Sequence, residues 1–253
     1  MPDYGFDTAS TVTNSLASSA VGQFGNGFWI RYFSPSPDAN VLNSSKANAQ
    51  AEVAAMFNNG AHHVSVVSEP SQSRLGTSGS TGTSYGTADA TTLINSIKNV
   101  ISWLGLSIPT DGLYCYLGLE AENPLAGAYW NAWATYINEY EYGGEAPFYA
   151  GLYCSPPAAP PNCSTIAAAP AAAYCYGVWS SEPEPCAGCT ASFGTIGWDA
   201  DNCSGFDTYM WQYSEKGSCL SVCGETIRAN VDVDEAAIDL SALDTMFYFG
   251  SAL

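Results

Sequence analysis

Eight short apolar runs with a β-like pattern recur along the chain, and helix-like segments separate several of them. The runs cover residues 4–7, 28–33, 63–68, 113–119, 148–154, 174–179, 208–213 and 229–234. Apolar residues at helical spacing mark residues 44–58, 88–104, 124–140 and 235–249. Strands that alternate with helices over about 250 residues are typical of one parallel barrel. The alternation therefore predicts an α/β fold, a single (β/α)8 barrel of the TIM type over residues 1–253.

The second half of this barrel is expected to be less regular than the first. After Cys154 the connecting segments are rich in Pro, Ala, Gly and Cys, so several helices there should be short or missing. Two tracts are predicted as loops, the Ser/Thr/Gly-rich residues 72–86 and the Pro/Ala-rich residues 155–173. Thr87 is then the expected N-cap of the helix over 88–104.

Acidic residues stand at or near the ends of three of the β-like runs. Asp7 ends the first run, Glu120 and Glu122 follow the fourth, and Asp232 and Asp234 end the eighth. The carboxyl ends of parallel barrel strands meet at one mouth, where the active sites of such barrels lie. We therefore expect these carboxylates to converge.

Alternation of side chains indicates that these acids face the interior. In the fourth run the apolar set suits the helix-covered outside of a barrel, and the other set is predicted to face inward. The outward set is Leu113, Cys115, Leu117 and Leu119, and the inward set is Tyr114, Tyr116, Gly118, Glu120 and Glu122. The same reasoning turns Asp7, Asp232 and Asp234 inward. Arg31 is also taken to point inward, where it would pair with one of the acids and keep it ionised.

Several carboxylates at one mouth favour cleavage of a glycosidic bond. That reaction needs one carboxyl group kept protonated and a second group that stabilises positive charge on the sugar. Crowded carboxylates repel each other, which raises at least one pKa. Glu122 with Asp7 or Glu120 fits these roles. Helix capping or binding of a divalent cation is the alternative role for such acids, but no EF-hand spacing is present and no metal site is predicted.

Aromatic residues near strand ends favour a carbohydrate ligand. The chain has 16 Tyr, 7 Trp and 10 Phe. Their flat faces can stack on the apolar faces of sugar rings, although a single aromatic residue is more often ordinary core packing. The residues predicted to bind substrate are Arg31, Tyr32, Tyr116, Tyr153, Trp179, Trp211, Gln212 and Asp234.

The net charge narrows the possible partners. Lys and Arg total 6 against 24 Asp and Glu, which gives a formal charge of −18. Phosphate backbones and anionic membrane surfaces attract basic patches, so this charge argues against nucleic acid and against membrane binding. No apolar run approaches the roughly 20 residues that a membrane-spanning helix needs. Neutral or cationic partners suit the chain better.

Cysteines concentrate in the C-terminal half. Eight of the nine lie after residue 150, mostly in segments rich in Gly, Pro and Ser, whereas Cys115 lies within an apolar run. This pattern predicts up to four disulfides that staple long loops, one buried thiol, and an extracellular or cell-surface location. The N-terminus has no pattern typical of a signal peptide, so the location is inferred from the cysteines alone. A four-thiolate zinc site at Cys186, Cys189, Cys219 and Cys223 is the competing interpretation.

Short motifs along most of the chain occur in a recognisable order. They are YGFDT at residues 4–8, WIRY at 29–32, YCYLGLEAE at 114–122, YAGLY at 149–153, WQYS at 211–214 and VDVD at 231–234. In this order they resemble the glycoside-hydrolase-like domain of unknown function 1906, a relative of the family 25 lysozymes. Those relatives are modified (β/α)8 barrels that cleave the β-1,4 bond of peptidoglycan.

The resemblance implies a role for each acid. Asp7 matches the first-strand Asp of the lysozymes, Glu122 their general acid, Glu120 the adjacent stabiliser, and Asp232 the Asp of the C-terminal strand. The chain departs from the pattern where Glu120 replaces the usual Asp and where Asp234 replaces a common Asn. The resemblance thus predicts a retaining glycoside hydrolase that needs no cofactor and acts on peptidoglycan or a related N-acetylated polysaccharide. The alternative is a weakly active or inactive barrel that binds carbohydrate or serves as a module of a larger extracellular or phage-like assembly.

Overall fold

The computed structural model of the chain describes residues 3–119, 124–145, 147–155, 160–169, 174–181, 200, 203, 205–214, 232–236 and 246–249. It has a mixed α/β fold. The strands are β1 Asp3–Asp7, β2 Phe28–Tyr32, β3 His63–Ser68, β4 Leu113–Gly118, β5 Phe148–Cys154, β6 Val178–Ser181, β7 Thr208–Ser214, β8 Asp232–Ala236 and β9 Phe247–Tyr248. The helices are α1 Asn14–Phe24, α2 Lys46–Asn58, α3 Gln72–Leu75, α4 Gly79–Leu104, α5 Gly127–Glu139 and α6 Pro160–Ala168.

Seven parallel strands, β1 to β7, form a curled, barrel-like sheet in which each strand pairs with its neighbours in sequence. The eighth strand departs from the TIM pattern, because β8 runs antiparallel to both β7 and β1. Antiparallel neighbours need no crossover helix. The reversal places the first residue of β8, Asp232, opposite Asp7 at the carboxyl end of β1.

Two apolar clusters lie on opposite faces of the sheet. The larger one combines helix residues such as Val53 and Ile137 with strand residues such as Phe6, Trp29 and Leu117. The smaller one lies on the inner face and draws mainly on the strands. Its buried members are Phe28, Ile30, Tyr32, Val67, Tyr116, Trp179, Met210 and Met246. The alternation predicted for the fourth run is confirmed from Leu113 to Leu119, because its leucines and Cys115 pack with the helices and Tyr116 faces inward.

The prediction of a loop over residues 72–86 is wrong. Residues 72–75 form α3 and residues 79–86 form the first part of α4, so Thr87 lies inside a helix that begins at Gly79. Close packing against α5 explains Gly86, where a Cβ would stand 2.3 Å from the carbonyl oxygen of Tyr129. Contact between the two helices therefore outweighs the low helix propensity of this Gly/Ser/Thr tract.

Other boundaries differ more locally. Helix α2 begins at Lys46, where Ser45 caps it by accepting a hydrogen bond from the Asn48 amide at 3.1 Å. The loop predicted over 155–173 contains α6, and the sixth strand begins at Val178, four residues later than expected at 174. The predicted final helix over 235–249 is wrong at both ends, since residues 235–236 belong to β8 and residues 247–248 form β9, which pairs antiparallel with β3.

The cysteine prediction is confirmed in part. Cys163 and Cys203 form a disulfide, and Cys115 is a buried thiol whose pKa is raised by burial. Cys175 is a half-buried thiol, and burial raises its pKa to about 12. The four cysteines of the alternative zinc site lie outside the described residues. Of the helices that are described, none has both the length and the apolar character to cross a membrane.

Candidate functional site

A polar network joins four strands on the inner face, at the carboxyl ends of β1, β5, β6 and β7. The side-chain nitrogen of Gln212 donates to the Asp7 carboxylate at 2.7 Å. The side-chain oxygen of Gln212 accepts from the Ser181 hydroxyl at 2.7 Å and lies 3.0 Å from the Tyr153 hydroxyl, which also lies 3.2 Å from Ser181 Oγ. The network brings together three residues that the sequence predicted, Asp7, Tyr153 and Gln212.

The two hydroxyls determine how the Gln212 amide is oriented. Because both can donate to its oxygen, its nitrogen is directed at Asp7, where it meets a hydrogen-bond acceptor. Asp7 is 3% exposed and Gln212 is 2% exposed, so this contact is shielded from water. The Asp7 carboxylate is therefore held in one orientation at the mouth of the sheet.

A β-bulge in β7 turns Gln212 inward. Val178 pairs with Thr208 but Trp179 pairs with Met210, so β7 contains one extra residue at this point. Gln212 then lies opposite Ser181 on the inner face. Without the bulge, the same residue would face the helices.

Trp211 and Gln212 are both predicted to bind substrate, but adjacent residues of a strand point to opposite faces, and the bulge decides which of the two faces inward. Trp211 pairs with Ser180 and is fully buried in the cluster that contacts the helices, so the prediction that it lines the substrate site is wrong. A shift of one residue moves a side chain to the opposite face of a sheet.

Tyr32, Tyr116, Tyr153 and Trp179, which the sequence predicts as substrate-binding residues, lie on the inner face. The Tyr153 ring lies 4.0 Å from the Trp179 ring, and Tyr116 meets Trp179 edge-on at 6.2 Å. Trp179 is fully buried and Tyr116 is 2% exposed, so these two rings pack beneath Tyr153 in the interior and do not reach a ligand themselves. Tyr153 is half-buried and can present part of its ring to a ligand.

Arg31 does not point inward, and the expected pairing with a mouth acid is wrong. It lies on the helix-facing side with Trp29 and Phe33, where its Nε pairs with Glu52 of α2. Its other nitrogens donate to the carbonyl oxygens of Thr8 and, at 2.7 Å, Asn40. Arg31 therefore secures the segment directly after Asp7, a task that requires Glu52, which the sequence interpretation missed.

Of the remaining predicted acids, the structure describes two, Asp232 and Asp234. In the strand register Asp232 lies opposite Asp7, and Asp234 lies opposite both Gly5 and Gln212. Glu120 and Glu122 lie outside the described residues. The sequence prediction misses Ser181 because the predicted sixth run ends at residue 179. Extending that run by two residues places Ser181 on the same face as Trp179, which is the inner face.

Within the described residues, one cluster of side chains could be considered as a metal site. Cys154, Cys163 and Cys203 are the one described group of three or more potential ligands whose donor atoms lie close enough to share an ion. Two of the three are joined in a disulfide, which offers no thiolate to a metal.

The buried inner tyrosines predict a loss of stability at alkaline pH. Burial raises the pKa of Tyr116 well above its ordinary value of 10, and burial also raises the pKa of neighbouring Tyr114. Above pH 10 the unfolded chain releases phenol protons that the folded chain retains, so the free energy of unfolding falls as pH rises. The loss from Tyr116 is up to about 1.4 kcal/mol for the first pH unit above that value.

Urea unfolding at about pH 8.5 and about pH 11 measures this loss. The Tyr116→Phe variant should lose less stability between the two conditions than the wild type. Tyr248→Phe is the matched control, because Tyr248 is 59% exposed. An equal loss in wild type and Tyr116→Phe would contradict the prediction.

Comparison with known proteins identifies a structure of similar fold and no family. The fold is similar to that in a 1.07 Å crystal structure of an uncharacterized B. stearothermophilus protein, with a TM-score of 0.68 and 19% sequence identity. The match covers 96% of this chain and 99% of that chain. No protein-family model and no curated protein matches the sequence. At this level of identity the likeness establishes the fold alone.

Proposed function

We propose that the protein is a retaining glycoside hydrolase of the lysozyme type, built on a modified (β/α)8 barrel. Its substrate is peptidoglycan or a related N-acetylated polysaccharide. The observation that carries this proposal is the buried Asp7 carboxylate at the carboxyl end of β1, held by Gln212 on the inner face. Barrel enzymes carry their catalytic groups at this end.

The catalytic roles follow from the sequence resemblance. Glu122 protonates the leaving oxygen, while Asp7 and Glu120 stabilise the positive charge or the substrate's own acetamido group. Asp232 is the register neighbour of Asp7 and adds a further acid to this end of the sheet. The hydrogen bond from Gln212 prevents the Asp7 carboxylate from rotating, and such preorganisation lowers the cost of reaching the transition state.

The surroundings of Asp7 suit a sugar ligand. Tyr153 offers a partly exposed ring beside Asp7's partner Gln212, and Trp179 fixes that ring from below. The hydroxyl and amide groups of Ser181 and Gln212 bond each other at the same end and hold Tyr153 and Asp7 in position for such a ligand.

The chain is proposed to act outside the cell. The Cys163–Cys203 disulfide is compatible with an oxidising environment. The formal charge of −18 favours neutral or cationic stretches of polysaccharide over anionic polymers. The proposed reaction requires no cofactor.

Incubation with peptidoglycan and with chitin-like oligomers tests the proposal. The wild type should release new reducing ends, and Glu122→Gln should lose at least about 100-fold in rate, because the leaving oxygen is no longer protonated. Asp111→Asn is the matched control, since Asp111 is an exposed carboxylate just before β4, at the opposite end of the sheet.

Two outcomes would contradict hydrolysis. If wild type and Glu122→Gln both bind the oligomers without releasing reducing ends, the protein is a carbohydrate-binding module. If neither protein binds or cleaves, a structural role in a larger assembly replaces both carbohydrate functions.

A further inference from the structure

Three sulfur atoms meet on the helix side of the sheet, beyond the end of β5. The side chains of Cys154, Cys163 and Cys203 bring their sulfurs within 4.8 Å of one another, and all three residues are buried. Cys163 belongs to α6, and Cys203 precedes β7. The Cys163–Cys203 disulfide joins two of them, so the third sulfur lies beside an existing S–S bond.

We propose that these three cysteines form a thiol–disulfide exchange site in which Cys154 replaces Cys203 or Cys163 as a disulfide partner. The Cys154 thiolate attacks Sγ of Cys163, the Cys163–Cys203 bond breaks, and a Cys154–Cys163 bond forms. Cys203 leaves as a thiolate and takes up the proton that Cys154 released. The step exchanges one disulfide for another, so it needs neither an oxidant nor a reductant.

Burial makes this exchange slow in the folded protein. The attacking species is the thiolate, and an apolar surrounding disfavours that charged form. Cys154 packs in the same helix-side cluster as Cys163 and Cys203, with exposed fractions of 0%, 5% and 0% respectively. Exchange therefore proceeds when α6 opens locally and water reaches the sulfurs.

The exchange would affect the polar network of Asp7, Tyr153, Ser181 and Gln212 from the helix-facing side of the sheet. Cys154 directly follows Tyr153, which contacts Gln212, and Cys203 lies in the segment that leads into β7. The present disulfide ties that segment to α6. The exchanged disulfide would tie α6 to β5 and release the connection to β7.

Disulfide mapping of single variants tests the proposal independently of any hydrolase activity. The full-length Cys203→Ser protein, treated with oxidised glutathione as the two-electron oxidant and then trapped with a maleimide at mildly acidic pH, should contain most of its Cys163 in a bridge to Cys154. Cys163→Ser should likewise yield a Cys154–Cys203 bridge. Cys115→Ser is the matched control, because Cys115 is a buried thiol outside the trio and its loss should leave the Cys163–Cys203 bridge unchanged.

The unmutated chain provides a second test that does not depend on how the variants fold. Wild type held at about pH 8.5 without added thiol should accumulate bridges that contain Cys154, because a cysteine that local opening of α6 exposes to water forms thiolate near this pH. The proposal is overturned if a folded Cys203→Ser protein keeps Cys163 alkylatable or paired elsewhere. It is equally overturned if Cys154 from the wild type never appears in a bridge to Cys163 or Cys203.

Discussion

Replacing Glu52 with Gln is expected to lower the free energy of unfolding by about 3–5 kcal/mol, because a buried cation loses its counter-ion. Arg31 is fully buried and Glu52 is 2% exposed, so water cannot replace the lost charge. Glu52 also accepts from the Val12 amide at 3.0 Å, and Arg31 holds the Thr8 carbonyl. The same substitution therefore loosens the segment that follows Asp7. Urea unfolding followed by circular dichroism measures the loss.

Two further variants separate charge from packing. Lys46→Gln changes one exposed charge on the same helix and should alter stability by less than about 0.5 kcal/mol. The double variant Arg31→Met/Glu52→Leu removes both charges and should be more stable than Glu52→Gln alone, since neither ion is left unpaired. A Glu52→Gln loss below about 1 kcal/mol would show that the pair is solvated.

Asp7→Asn is expected to reduce the rate of polysaccharide cleavage by about 100-fold or more while the protein stays folded. The substituted amide keeps an oxygen that can accept the Gln212 hydrogen bond, so the network survives. It lacks the negative charge that stabilises the transition state, so kcat should fall more than KM changes. Reducing-end release over a range of substrate concentrations gives both constants.

The control for Asp7 is Asp38→Asn. Asp38 is an exposed carboxylate in the loop after β2, at the same end of the sheet, and its loss should leave kcat unchanged. If Asp7→Asn retained full activity, or if both variants lost activity equally, Asp7 would have no specific role in the reaction.

The strands were predictable because their side chains alternate. Leucines on one face of residues 113–119 and tyrosines on the other indicated both the strand and its orientation, and the structure confirms both. The same alternation placed Asp7 inward beside the carboxyl end of β1. Tyr153 and Trp179 also lie on the inner face. Tyr32 lies there as well, but only because Arg31 points to the helices, which is the reverse of the orientation predicted for that strand.

Alternation failed where a strand is irregular or where a polar side chain has a buried partner. No sequence pattern within residues 208–214 predicts the bulge that turns Trp211 outward and Gln212 inward. Nothing near Arg31 indicates Glu52, which lies on another element and neutralises it on the helix-facing side. The Gly/Ser/Thr tract of residues 79–86 indicates a loop in the sequence, and only the tertiary structure shows that Gly86 packs closely against α5 within a helix.

The sequence by itself determined the parallel strands, the faces of the regular ones and the acids at their ends, because these depend on local periodicity. Only the tertiary structure decided the antiparallel direction of β8, which brings Asp232 beside Asp7, and the convergence of Asp7, Tyr153, Ser181 and Gln212. Each of these depends on pairing between residues far apart in the chain, whose energy is set by burial and hydrogen bonding across the sheet.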